Sequence, residues 1–145
     1  MKTKSILLTA IIFLISLSFL SAKSSLSENQ KQKAEINYLE GLKSDNEGLR
    51  GSSAYFLGEI NSSDAIIPLM HVLRNDESEC VRTMAALSLI KLNDARGIHL
   101  VKNEIKFNDF EKVREICQKF YSGYLKEKNS EDLKFEVERF ASVIE

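Results

Sequence analysis

The chain has 145 residues, a formal charge of −1, and 43% apolar against 28% charged residues. These are the length and composition of one ordinary globular domain. So even a charge balance excludes a strong electrostatic footprint for nucleic acid, and two cysteines exclude a disulfide scaffold.

Lys2 and Lys4 precede an apolar run from Ile6 to Leu20, and Ser21-Ala22 come next with small side chains. That three-part pattern predicts a secretory signal peptide over residues 1–22, cleaved after Ala22. The run is shorter than the roughly 20 residues a membrane span prefers. The expected location is therefore periplasmic or secreted; contact with a membrane arises only if the segment stays uncleaved as an anchor. Residues 23–48 read as a polar linker and a capping helix. Ser27 with Gln30 fits a capping box. Ala34, Tyr38, Leu39 and Leu42 form one stripe, predicting a helix from about Glu28 to Lys43.

A period of 32 residues organises the rest of the chain. Leu49-Arg50, Ser53-Ala54, Phe56-Leu57-Gly58 and Ile60 match Val81-Arg82, Ala85-Ala86, Ser88-Leu89 and Leu92, and a third line starts at Val113-Arg114. Such a period predicts stacked helical hairpins. Helices are expected at about 49–60 with Leu49, Ser53, Phe56, Leu57 and Ile60 inward, then 65–74, capped by Asp64, with Ile66, Leu69 and Leu73 inward. The second repeat predicts helices at 79–92, capped by Asp76 or Ser78, and at 95–107. The third predicts helices at 110–125 and 131–144 around a polar loop at 126–130, with Leu133 and Val137 equivalent to Val101 and Ile105. The fold class is thus all-α: an α-solenoid of three helix pairs (about 49–76, 77–108 and 109–145) plus an N-terminal helix.

The line Val-Arg-x-x-Ala-Ala-x-x-Leu at 81–89 and the segment Asp64-Ala-Ile-Ile-Pro-Leu69 resemble short HEAT-like repeats, including the kind found in phycobilin-lyase-like proteins. The resemblance covers roughly Tyr38 to Val143 and is weaker beyond Val113, where Gln118 replaces a small residue and Ser122 replaces the glycine seen as Gly58. It implies a solenoid with the second helix of each pair on the concave side, and a scaffolding or protein-binding role.

Arg50, Arg82 and Arg114 each come after a polar turn and read as a structural ladder onto carboxylates or carbonyls of the preceding turn, at Asp45, Asp76, and Asn108 or Asp109. His71 and His99 lack the companions of a metal site, and no metal or cofactor is expected. Cys80 opens a helix without an adjacent base, while Cys117 takes a small inward position; the two are too far apart to bridge. No nucleophile elbow, phosphate loop or dinucleotide fingerprint is present. The expected function is a non-enzymatic module for protein–protein interaction. Its predicted surface presents Ile67, Met70, His71 and Arg74 from the first repeat, and His99, Lys102, Asn103 and Lys106 from the second. The alternatives are an anchored structural component of the cell envelope, and a lyase-like accessory protein by analogy with the resembled family.

Overall fold

The computed structural model of the chain describes the backbone of residues 28–144 and the side chains of residues 28–132. The expected signal segment at 1–22, the Ser27 half of the capping box, and the Leu133 and Val137 side chains lie outside the described residues. The chain divides into two compact units, Met1–Asn37 and Tyr38–Glu145, and the helix packing is that of the second unit.

All regular structure among the described residues is helical. α1 spans residues 28–41. Next come α2 (Glu47–Glu59), a 3₁₀ turn (Ser63–Ala65), α3 (Ile66–Asn75), α4 (Glu79–Leu92), α5 (Ala95–Phe107) and α6 (Glu111–Ile144). Side-chain oxygens start the helices by accepting orphan backbone N–H groups. Asn46 accepts from Leu49, Ser78 from Val81 and Asp94 from Arg96. Asn93 ends α4 with φ 52°, a left-handed cap that asparagine tolerates better than most residues.

α4 lies at the centre and packs against α2, α3, α5 and α6. Leu57, Leu69, Leu73, Val81, Leu89, Leu100, Val101, Val113 and Cys117 are fully buried between the helices. α2 and α4 meet closely because both carry small residues at the crossing. Ser88 Oγ donates to the Ala54 carbonyl at 2.7 Å. Gly58 lies so near that a Cβ there would stand 2.9 Å from Ser88 Cα. Ala54 and Ala86, 32 residues apart, are both sealed at 0% exposure. Gln118, another 32 on, is exposed, and its amide donates to Ser122 Oγ. Interior positions demand a small apolar group, whereas α6 meets solvent with a polar one.

Several expectations require correction. Leu49 and Phe56 are not inward: they are 50% and 42% exposed. The helix turns about 100° per residue, and its buried face is set by Arg50, Ser53, Ala54 and Leu57. Phe56 instead stacks on Tyr38 with ring centroids 5.2 Å apart. Ser62, not Asp64, accepts from the Ala65 N–H and starts the 3₁₀ turn. The loop expected at 126–130 is helix, so the two last helices are one, Glu111–Ile144. Lys126-Glu127-Lys128-Asn129-Ser130 contains no Pro or Gly. Polarity alone stops nothing, because a solvated helix satisfies its own backbone.

Candidate functional site

Two groupings on this fold bring the singled-out residues together. The first is the row of turns preceding α2, α4 and α6. Arg50 Nη1 donates back to the carbonyls of Ser44 and Asp45 at 3.0 and 3.2 Å. Its Nε and Nη2 reach forward to both carboxylate oxygens of Asp76, at 2.8 and 3.1 Å. Arg82 repeats the scheme: Nε donates back to the Asp76 carbonyl, and Nη1 reaches Asn108 Oδ1 at 3.3 Å and Asp109 Oδ2 at 3.4 Å. Phe110 closes over its guanidinium at 4.7 Å. Arg114 Nη1 donates back to the Asn108 and Asp109 carbonyls at 2.7 and 3.3 Å. Each arginine therefore takes carbonyls from the turn before it, and Arg50 and Arg82 take side chains from the turn after it. The sequence expectation found the first half and misplaced the acidic partner by one turn.

Asp76 is held below the usual carboxylate range. Burial alone would raise it, but hydrogen bonds from Arg50 and the Ser78 N–H, with the charges of Arg50 and Arg82, outweigh burial.

Asn108 replaces Asp76 in the next turn because its surroundings differ. Its Nδ2 donates to Glu104 Oε2 at 2.8 Å and to the Leu73 carbonyl at 3.2 Å. A carboxylate could donate neither bond. Glu104 itself is buried, at the position where the previous repeat has Val72. Arg74 Nε stands 3.7 Å from Glu104 Oε1. A charge at a core position of a repeat was the available sequence signal for this network.

The second grouping is the outer face of α3 and α5. Ile67, His71 and Arg74 on α3, and His99, Lys102 and Lys106 on α5, are exposed; Met70 and Asn103 are half-buried. Met70 packs partly against the core. Asn103 lies 3.4 Å from the His99 ring, and Lys102 Nζ sits 6.0 Å from the Tyr121 ring centroid. The Arg74–Glu104 pair ties the two helices together at this face. Sequence reasoning missed Phe107, the last residue of α5, which is 76% exposed beside Lys106. The signal was an aromatic at the position 32 residues beyond the polar Asn75.

Elsewhere, a groove of about 500 Å³ between α2 and α4 is lined by Gly48, Gly51, Tyr55, Phe56, Cys80 and Met84. Both cysteines are free, with Cys80 exposed and Cys117 buried. Burial, reinforced by the Glu104 charge, pushes the Cys117 thiol up to about 12. Among the described residues, no group of three or more His, Cys, Asp and Glu is placed to hold a metal ion. Among them, too, no helix is long and apolar enough to cross a membrane. No protein-family model and no curated protein matches this chain.

Proposed function

We propose that this protein is an exported, non-catalytic binding module built as a short HEAT-like solenoid, and that the outer face of α3 and α5 docks an acidic protein segment carrying apolar side chains. The observation that carries this reading is the composition of that face. Arg74, Lys102 and Lys106 are exposed there between two large exposed apolar groups, Ile67 and Phe107. Large exposed apolar groups rimmed by polar ones mark interaction surfaces more often than chance. Basic rim charges would steer an acidic partner and set its association rate more than its affinity. The 32-residue period and the basic start followed by an apolar run at 2–22 support the solenoid and export parts of the reading.

The geometry decides which substitutions test it. Charge reversal at Arg74 would set a second carboxylate against buried Glu104, and truncating Met70 would open the core; both would damage folding. Lys102→Glu with Lys106→Glu and Phe107→Ser alters exposed groups only. A photo-crosslinking side chain at His99 should give a discrete adduct in envelope extracts, and the triple substitution should remove it. The same side chain at Lys119 on α6 serves as the control. Equal adducts from both positions, or an adduct that survives the triple substitution in folded protein, would place binding elsewhere.

A further inference from the structure

Arg50 and Arg114 are held alike on one side and differ on the other. Both point Nη1 at the carbonyls six and five residues earlier. On Arg50, Nε and Nη2 grip the Asp76 carboxylate. On Arg114, those same two nitrogens have no acceptor among the described residues. The cause lies in the backbone. Arg50 and Arg82 find their forward partners 26 and 27 residues later, in a turn. Counting 26 residues on from Arg114 reaches position 140, inside α6. The guanidinium is pinned and its fork is left open.

The opposite end of the row carries the complementary open group. Asp76 offers its carbonyl forward to Arg82 and its carboxylate back to Arg50. Asp45 occupies the corresponding place in the first turn and offers its carbonyl forward to Arg50. Its exposed carboxylate has no partner among the described residues.

We propose that Arg114 is a carboxylate receptor and that Asp45 of a second copy fills it, joining chains head to tail. A planar guanidinium takes a carboxylate through two parallel hydrogen bonds, as Arg50 does within the chain. The junction is heterologous, with a different surface on each copy, so it propagates unless the rotation closes a ring. Gln118 limits it. The polar side chain at the place of Ala54 and Ala86 blocks close helix stacking, so the docked turn covers little surface. Interfaces burying less than about 1,200 Å² are characteristically transient, and dissociation near the millimolar range corresponds to only about 4 kcal/mol.

Sedimentation velocity of the purified protein from about 10 μM to about 1 mM spans that range. The sedimentation coefficient should rise with concentration at low salt and rise less at high salt. Arg114→Asp and Asp45→Arg should each abolish the rise, since each sets like charges together. Mixing the two variants should restore it, because every junction then pairs opposite charges. Circular dichroism establishes that each variant is folded; if Arg114→Asp is not, Arg114→Lys, which keeps the charge but loses the fork, should weaken association about tenfold. A concentration-independent coefficient in the unaltered protein overturns the proposal. So does association that survives either folded variant, or a mixture that fails to restore it.

Discussion

Gly58→Ala tests how closely α2 and α4 approach. Adding one methyl group to a helical glycine normally stabilises by about 0.5–1 kcal/mol, through lost freedom in the unfolded chain. At Gly58 the new Cβ would stand 2.6 Å from Ser88 Oγ, 2.8 Å from Ser88 Cβ and 2.9 Å from Ser88 Cα. A side-chain rotation relieves only the first of these clashes. The clash with the Ser88 backbone is relieved only if the helices separate, and separation also stretches the 2.7 Å bond from Ser88 Oγ to the Ala54 carbonyl. Overpacking of this kind costs about 1–3 kcal/mol. Gly58 is the second-last residue of α2, so its propensity gain is the smaller part, and the net expectation is a loss of about 1–2 kcal/mol. Gly123 provides the control: it is an exposed helical glycine with nothing within 4 Å of an added Cβ. Gly123→Ala should therefore stabilise by about 0.5–1 kcal/mol. Urea denaturation of both variants at equal slope separates the two signs. A Gly58→Ala protein as stable as the parent would refute the close approach, whatever Gly123→Ala does.

Asn108→Asp should destabilise by about 2–3 kcal/mol despite Asp being the residue at the equivalent position 76, because it loses two donated bonds and sets a charge beside Glu104; an unchanged urea midpoint would count against the network. Asp76 is depressed in the folded state, so its contribution to stability is present above its unfolded value of about 3.9 and is lost as pH falls through the lower folded one. The stability gap between the parent and Asp76→Asn should accordingly shrink below about pH 4, and a gap that is constant with pH would contradict the assignment. Cys80 is exposed and Cys117 is buried with its thiol raised to about 12, so iodoacetamide should modify one thiol in native protein and two in denaturant. Mass spectrometry showing rapid double labelling of folded protein would mean that Cys117 is not in the core.

The sequence alone determined the helical class, the 32-residue period and the places where most helices begin. Those features are local: spacing of apolar residues, capping side chains and turn residues act within a few positions of one another. α4 and α5 fall on their expected bounds, 79–92 and 95–107, because Ser78 and Asp94 cap them and Asn93 ends the first. The fully buried Leu69, Leu73, Ala86 and Cys117 were equally legible, since each holds one phase of a regular stripe.

Tertiary structure decided whatever depends on a neighbour distant in sequence. The outward placing of Leu49 and Phe56 results from Arg50 turning inward to reach Asp76, 26 residues away. The run of α6 through 126–130 results from the absence of any stop residue, which a repeat-based expectation of a turn overlooked. At the candidate surface, the sequence placed six basic, apolar and imidazole groups on exposed positions of two helices, but could not separate exposed Lys102 from Arg74, which leans on buried Glu104. The ladder's open ends were beyond it for the same reason. An arginine and its carbonyls five and six residues back are close in the chain, whereas the carboxylate that completes the fork comes from across the fold, and only the packed helices show where one is supplied and where it is missing.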